Sequence, residues 1–414
     1  MSKTSIWIAG VGMTPLGKYL DRSIKQMTAQ AVESALADAG CTRDSIQAAW
    51  FSNTRQGLFE GQHGIRGQCA LRSWGLERVP IFNTDNACAS SSSGLNLAIA
   101  YLRAGMVDIA LVAGAEKMFY PEKRDLMFGA FMGSMDREIG ESQLQEVFDR
   151  AAGMPIPEAF QGDHGARSIF MDWYAAVARY HMLRYGTTQR QLAAVAAKNH
   201  WHSQWNPLAQ YRHAMTIDEV LADKLVSWPL TRSMCAPMSD GAAALVVCND
   251  AGLERLDRSR AIRVLASQVA SGITHDIDDS EGGIGRLAAV AAYEEAGLDP
   301  KDVSVAEVHD ATAFGEIKLT ENLGLCAPGD GGRIAEAGET QLGGRIPVNP
   351  SGGLASKGHP IGATGALQIG ELVTQLRGEA GKRQVPGARI AAAANGGGLW
   401  GGEEAVAVVT ILGQ

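Results

Sequence analysis

The chain of 414 residues contains one helix–turn–strand pattern twice, once near each end. In the first copy, an Ala-rich helix ends at Gly40 and a short turn leads into the strand 46–51. In the second copy, the helix 284–296 ends at Gly297 and the strand 303–308 follows. Glycine suits the left-handed conformation that commonly ends a helix, so the two glycines are equivalent caps. An internal repeat of this kind predicts a doubled α/β unit.

Each copy then continues with a turn, a helix and an apolar strand. The matched segments are 88–93, 94–103 and 107–114 in the first half, and 359–364, 365–376 and 389–394 in the second. Strands without polar alternation are typical of sheets buried on both faces. We therefore expect two βαβαβ halves, with two similar sheets packed through shared helices.

The segment 119–239 between the halves lacks the repeated pattern and is rich in Met, Trp, His, Tyr and Pro. A chain of this length also exceeds what one hydrophobic core usually supports. We predict an N-terminal half of residues 1–118 plus 240–254, an inserted loop domain of residues 119–239, and a C-terminal half of residues 255–414. Long insertions on a rigid scaffold commonly carry substrate contacts.

Composition narrows the classes of function. The hydrophobic fraction is 46% and the charged fraction 20%, which is typical of soluble α/β enzymes. A net charge of -8 argues against nucleic acid as a main partner. The sequence shows no 18-residue apolar span and no signal peptide, so we expect no membrane span. Six cysteines without a Cys-x-x-Cys pair indicate a reducing, cytoplasmic location with neither disulfides nor structural zinc.

Cys88 occupies the turn between an apolar strand and a helix whose first residues are all small. The positive end of a helix dipole favours a thiolate, so this position predicts a lowered thiol pKa and a nucleophile. The alternative for any cysteine is a buried structural role. That is our interpretation of four of the other cysteines: Cys41, Cys69, Cys248 and Cys326.

His359 lies in a glycine-dense loop at the matched turn of the second half. A pseudo-two-fold axis would bring it to Cys88, and a cysteine beside a histidine is the minimal activated nucleophile. His309 ends the second-half strand, where it either orients a water or an oxyanion, or serves as a cap or core residue. The Gly-rich break at residues 395–398 either exposes amides to a thioester oxygen or reflects tight packing.

These residues carry a resemblance to the thiolase superfamily over nearly the whole chain. The most specific stretches are Gln62–Gln68, which leads to the Asn86–Gly94 segment, and the loop Gly358-His359-Pro360-x-Gly-x-x-Gly. The opening Gly10–Gly17 and the pair His309-Asp310 resemble the sterol-carrier-protein-type branch and its bacterial and archaeal acetyl-CoA acetyltransferase-like relatives.

The resemblance implies a five-layer αβαβα fold and an acyltransferase that cleaves a 3-oxoacyl-CoA with CoA, in lipid or aromatic acid degradation. Cys88 would carry the acyl group and His359 would activate it. His309 would contribute to one oxyanion hole, and the amides of Cys88 and Gly396 would form the other. Coenzyme A would be a substrate, with no permanently bound cofactor or metal. A homodimer or homotetramer is implied, with Gln62–Trp74 as the dimer segment.

The resemblance leaves two matters open. Family members have a second, acid/base cysteine, whose places here hold Ala394 (or Asn395) and Ala311, so His309 or Asp310 is the leading substitute. The alternative function is an acyltransferase, condensing or aldolase subunit that works with a small OB-fold, zinc-ribbon partner.

The aromatic residues of the insertion either line a pocket for a bulky acyl group or form its core: Phe148, Phe160, Phe170, Trp173, Tyr174, Trp201 and Trp205.

Overall fold

The computed structural model describes residues 4–162, 165–273, 275 and 278–414. The strands are β1 Ile6–Met13, β2 Ala48–Ser52, β3 Ile81–Thr84, β4 Ile109–Glu116, β5 Leu225–Ser227, β6 Leu230–Thr231, β7 Gly241–Asn249, β8 Ile262–Ala270, β9 Val305–Val308, β10 Ile390–Gly397 and β11 Val406–Gly413. The helices are α1 Ile24–Asp38, α2 Gln56–Glu60, α3 Arg66–Ser73, α4 Ser90–Arg103, α5 Arg124–Gly129, α6 Gly140–Arg150, α7 Ile169–Tyr185, α8 Gln189–Ser203, α9 Ile217–Ala222, α10 Asp250–Leu253, α11 Ile284–Ala296, α12 Ala313–Asn322, α13 Gly331–Glu336 and α14 Thr364–Leu376.

The two halves have the same strand pairing. In the first half β2 and β4 are parallel, and β4, β7 and β1 are successively antiparallel. In the second half β9 and β10 are parallel, and β10, β11 and β8 are successively antiparallel. Gly40 and Gly297, with φ of 64° and 67°, end the equivalent helices in the left-handed conformation. These features confirm the doubled unit predicted from the repeat.

The two predicted sheets meet along one line of contact. β1 pairs with β8 through Ile6, Trp7 and Ile8, which gives a sheet order of β3-β2-β4-β7-β1-β8-β11-β10-β9 among the described strands. The pairing is short, because it joins the outermost strands of two units that are otherwise complete. The β1–β8 pairing therefore joins the two halves into one continuous sheet.

Five layers of secondary structure result from this arrangement. α4 and α14 form the middle layer, where Leu95 and Leu367 pack with Ile8 from one half and Val305 from the other. α1 and α3 cover the outer face of the first half, and α11 and α12 cover that of the second. Burying one leucine side chain contributes about 2 kcal/mol, so the shared middle layer is a major source of stability. The fold predicted from the sequence is confirmed.

Two boundaries at the matched turns differ from the prediction. α4 begins at Ser90 rather than at residue 94, since the Ser90 hydroxyl donates to the Ala87 carbonyl and accepts from the Asn86 amide. β10 continues to Gly397, where a break was expected, because its glycines keep their pairing with β11. The prediction of an interruption before residue 398 was therefore wrong.

The segment 119–239 contains α5 to α9 and the β5–β6 hairpin. α6, α7 and α8 share an apolar cluster that includes Trp173, and this cluster extends to Phe314 of α12. Among the insertion's aromatic residues, Phe148, Phe170, Trp173 and Tyr174 belong to this cluster, whereas Phe160 and Trp201 are exposed. The insertion therefore packs on the second half. Within the described residues, no helix combines the length and apolarity needed to cross a bilayer.

Self-association is expected along β3, one of the two edge strands of the described sheet. An edge strand leaves backbone donors and acceptors unpaired, and apolar side chains beside it add a driving force. Phe82 of β3 is 39% exposed, and Ile65, next to α3, is 63% exposed. Light scattering at micromolar concentration should therefore give the mass of a dimer or a larger assembly. A monomer at that concentration would contradict this prediction.

Candidate active site

Cys88 lies in a tight turn between β3 and α4. Ala87 has a φ of 49°, a left-handed conformation that is unfavourable for a residue with a Cβ. The turn is held by the Asn86 side chain, which donates to the Ser93 hydroxyl at 2.9 Å, and by the Ala89 amide, which donates to the Asn86 carbonyl. A strained backbone fixed by such bonds gives the sulfur a defined position at the start of a buried helix.

The surroundings of Cys88 are mostly apolar. Cys88 is 8% exposed and packs in a cluster of large side chains. These side chains are Phe59, Met118, Tyr120, Met127 and Ile361. Burial raises the pKa of the Cys88 thiol to about 12, although the Arg55 guanidinium acts in the opposite direction. The predicted lowering of this pKa by the helix dipole was wrong, because α4 begins two residues later and desolvation outweighs it. The thiol is neutral and needs a base at the moment of attack.

The two matched turns meet, as the repeat predicted. The sulfur of Cys88 and a ring nitrogen from each of His309 and His359 all lie within 4.8 Å of one another. The two imidazole rings are 5.2 Å apart, centre to centre, in an edge-on arrangement. We call these three residues the Cys–His–His cluster. Their donor types also suit Zn²⁺, so this cluster is where the described chain could hold a metal ion.

Both histidines of the cluster are neutral bases. Burial lowers the pKa of His309 to about 4, and burial together with His309 lowers that of His359 well below its usual value. Among the described residues, both ring nitrogens of His309 and Nε2 of His359 have no hydrogen-bond partner. Unpaired buried nitrogen is costly, so such atoms indicate a place where a reactant binds. The cluster can therefore accept a proton from a thiol and donate to an oxyanion.

The loop that carries His359 is fixed by the end of the insertion and by the first half. The His359 amide donates to the Ser239 hydroxyl at 2.9 Å, and the Gly362 amide donates to the Glu116 carboxylate at 3.0 Å. A Cβ on Gly362 would lie 2.9 Å from the Cα of Asn53. Close packing against the first half thus accounts for this glycine.

Asp310 supports the same loop. Its carboxyl group accepts hydrogen bonds from the Leu354 amide at 2.6 Å, the Ala355 amide at 3.3 Å and the Asn199 side chain at 2.9 Å. Burial and then the nearby Glu316 raise the pKa of Asp310 well above its usual value. These bonds give Asp310 a positioning role. Its predicted acid/base role stays a prediction.

The end of β10 lies against the Cys88 turn. A Cβ on Gly397 would overlap the Asn86 carbonyl and come within 2.9 Å of the Ala89 Cβ. Asn395 faces α4 and accepts a hydrogen bond from the Ser92 hydroxyl at 2.7 Å, whereas Ala394 packs in the outer apolar cluster of the second half. Gly396 lies between them in the strand, and its oxyanion role stays a prediction.

Three further residues belong to the site: Arg55 and Glu404 were not found from the sequence, and Tyr174 was named only among the aromatic residues of the insertion. The Arg55 guanidinium acts to lower the pKa of Cys88, against the larger effect of burial. Its Nε has no hydrogen-bond partner among the described residues. Tyr174 is buried on α7, and burial followed by the charge of Glu404 raises its pKa well above the usual value. Glu404, just before β11, forms an ion pair with Lys318 at 3.4 Å. An acidic pair preceding a buried strand was the only signal for Glu404.

A cavity of about 970 Å³ lies between the insertion and the second half. Phe314, Lys318, Trp400 and Glu404 form part of its wall. Its lining does not include the cluster itself, but it includes Glu404, whose charge acts on the pKa values of Cys88 and His309. A space of this size accommodates a large organic ligand.

Comparisons with known proteins agree with this geometry. Residues 6–219 match the family model described as the thiolase N-terminal domain, and residues 274–414 match the thiolase C-terminal domain-like model. The chain is 37% identical over 401 residues to the acetyl-CoA acetyltransferase of Methanothermobacter thermautotrophicus, covering 95% of this chain and 96% of that protein. It is 32% identical to the benzoylsuccinyl-CoA thiolase subunit BbsB of Thauera aromatica, covering 93% of each.

Solved structures show the same fold at lower sequence identity. The Ltp2-ChsH2(DUF35) aldolase has a TM-score of 0.76 at 23% identity, covering 99% of this chain and 97% of that chain. Human mitochondrial 3-ketoacyl-CoA thiolase has a TM-score of 0.69 at 14% identity, covering 100% of both chains.

Proposed function

Since the chain belongs to the thiolase family of acyltransferases, we propose that it transfers acyl groups from CoA thioesters through an acyl-enzyme on Cys88. The reaction proposed is cleavage of a 3-oxoacyl-CoA by CoA. The observation that carries the proposal is the meeting of Cys88, His309 and His359 at one buried point.

The first half-reaction begins with transfer of the Cys88 proton to His359. The sulfur attacks the 3-oxo carbon, and the amides of Cys88 and Gly396 stabilise the resulting oxyanion. The bond between C2 and C3 then breaks, and His309 donates a hydrogen bond to the enolate oxygen of the departing thioester. In the second half-reaction the thiol of CoA attacks the acyl-enzyme and frees Cys88.

The apolar cluster around Cys88 supports a bulky acyl group as the substrate. Methionine side chains are flexible and polarisable, so Met118 and Met127 can adapt to different hydrocarbon shapes. Tyr120 stacks on Phe59 with ring centres 4.7 Å apart, which offers a surface for an aromatic group. We propose 3-oxoacyl-CoA esters from lipid or aromatic acid degradation.

A second candidate function has its own support. The neighbour with the TM-score of 0.76 is an aldolase that contains a DUF35 protein, and BbsB is named as a subunit. Neither Ala311 nor Ala394 supplies the acid/base thiol of the family. In this alternative the chain works as a subunit with a small OB-fold, zinc-ribbon partner, as an acyltransferase, a condensing enzyme or an aldolase.

Mass spectrometry of the Cys88 peptide tests the proposal. The protein is incubated with a panel of 3-oxoacyl-CoA esters, first without CoA and then with it. We expect a mass increase equal to the acyl group on Cys88, which CoA removes again. The same assay is repeated after co-expression with small proteins from neighbouring genes.

Each outcome selects one function. Acylation and discharge by the isolated chain support the thiolase. Turnover that appears only with a partner supports the subunit. Turnover without any acylation of Cys88, alone or with a partner, contradicts the acyl-enzyme.

A further inference from the structure

We propose that Glu404 is the group that exchanges a proton with the substrate carbon, in place of the second cysteine of the family. The proposal rests on the function proposed above and adds a catalytic residue to it. In the cleavage direction Glu404 gives a proton to C2 of the departing enolate. In the condensation direction it removes that proton from an acyl-CoA.

Glu404 occupies the boundary between the cavity and the Cys–His–His cluster. Its side chain is 2% exposed and forms part of the cavity wall. A Cβ added to Gly396 would lie 2.5 Å from the Cγ of Glu404 and 3.2 Å from its Oε1, so the carboxylate lies directly against β10 at that point. The carboxylate therefore lies between the wall of the cavity and the strand that carries Gly396.

Electrostatic effects show which groups Glu404 faces. Its charge acts to raise the pKa values of Cys88, His309 and Tyr174, although burial outweighs it at His309, and it is not among the causes of the pKa shift at His359. His359 is affected by His309 instead. The Glu404 carboxylate therefore interacts electrostatically with the cluster through Cys88 and His309.

The charge state of Glu404 suits a proton acceptor. Burial acts to raise the pKa of Glu404, but Lys318 and His309 act in the opposite direction and the net shift is downward. The carboxylate is therefore ionised before the reaction. Glu403, its neighbour in sequence, instead accepts a hydrogen bond from the amide of Ile284 at 2.8 Å and fixes the start of α11.

The proton balance closes without any additional reactant. When the bond from sulfur to the acyl carbon forms, the Cys88 proton passes through His359 and His309 to Glu404. The electron pair of the broken C2–C3 bond takes this proton at C2. When CoA attacks, its thiol proton passes through His359 alone to the Cys88 sulfur as the bond between Cys88 and the acyl group breaks.

His309 and Asp310 fit this proton-carrier role less well than Glu404. His309 has a pKa of about 4, so near neutral pH it holds a proton only transiently and can act as a relay. The carboxyl group of Asp310 already accepts hydrogen bonds from the Leu354 and Ala355 amides of the His359 loop. Glu404 combines an ionised carboxylate with a position on the cavity wall.

Hydrogen–deuterium exchange on acetyl-CoA in D₂O isolates the step assigned to Glu404. The wild-type protein should exchange the methyl hydrogens, and Glu404→Gln should lose this exchange by about 100-fold or more, the usual worth of one general acid or base. Acetylation of Cys88, which requires no proton transfer at carbon, should change by only a few-fold. Glu404→Asp should restore part of the exchange.

The matched control is Glu371→Gln, which alters another buried glutamate in an ion pair. Glu371, in α14, forms an ion pair with Arg383 at 2.9 Å and is not part of the cavity wall. The Glu371→Gln variant should retain both the hydrogen exchange on acetyl-CoA and the acetylation of Cys88. Thermal unfolding monitors the fold of each variant, and if Glu404→Gln does not fold, the comparison rests on the folded Glu404→Asp variant.

The possible results separate this inference from the proposed function. Unchanged exchange in the folded Glu404 variants would overturn the role of Glu404 while leaving the Cys88 acyl-enzyme in place. Equal losses of exchange and acetylation would also overturn it, since Glu404 would then serve the thiol. A wild-type protein that shows neither acetylation nor exchange would overturn both.

Discussion

Replacement of Cys88 by alanine should abolish turnover and leave the fold intact. The change removes the nucleophile, and loss of the nucleophile of a catalytic set typically costs about 10⁴-fold to 10⁶-fold in rate. Cys88 is part of a buried apolar cluster, but a single sulfur atom is lost, so the free energy of unfolding should fall by only about 1 kcal/mol. The measurement is CoA-dependent cleavage of a 3-oxoacyl-CoA, with circular dichroism to verify the fold.

Cys248→Ala is the matched control for this variant. Cys248 is also buried, but it lies in β7 and packs with the outer cluster of the first half. The substitution removes the same atom at a comparable depth, and turnover should persist. Undiminished thiolysis in folded Cys88→Ala protein would refute the assignment of Cys88 as the nucleophile.

The fold was predictable because both halves carry the same local signals. Gly297 ends its helix in the left-handed conformation, and the helix 284–296 has the bounds expected from the sequence. The contact between β1 and β8 was not predictable. It involves strands that precede each repeated pattern, and their pairing depends on how two completed halves pack together.

The site could be predicted to the extent that it lies at the repeated turns. Cys88 and His359 occupy equivalent turns, so the symmetry of the repeat was enough to predict that they meet. Glu404 and Arg55 approach the cluster through tertiary contacts that no spacing in the sequence encodes. The predicted direction of the pKa shift at Cys88 was wrong for the same reason. Desolvation of the thiol depends on side chains from several distant segments.

His309→Asn should separate acyl transfer from carbon–carbon cleavage. Asparagine can still donate a hydrogen bond to an oxyanion, but it cannot carry a proton between His359 and Glu404. Transfer of an acyl group from a simple thioester to Cys88 needs no proton at carbon and should largely persist. Cleavage of a 3-oxoacyl-CoA needs one and should fall by roughly 100-fold or more.

The control for this variant is His202→Asn. His202 is fully buried, and its two ring nitrogens are bonded to the Asn349 carbonyl and the Leu342 amide. Its loss should lower stability but leave the ratio of the two activities unchanged.

Combining His309→Asn with Glu404→Gln tests whether the two residues act in one proton path. If they do, the double variant should cleave no more slowly than the slower single variant, because a path that is already broken cannot be broken again. Equal losses of acyl transfer and cleavage in His309→Asn alone would contradict the relay. His309 would then serve the oxyanion only, and the proton would reach Glu404 without it.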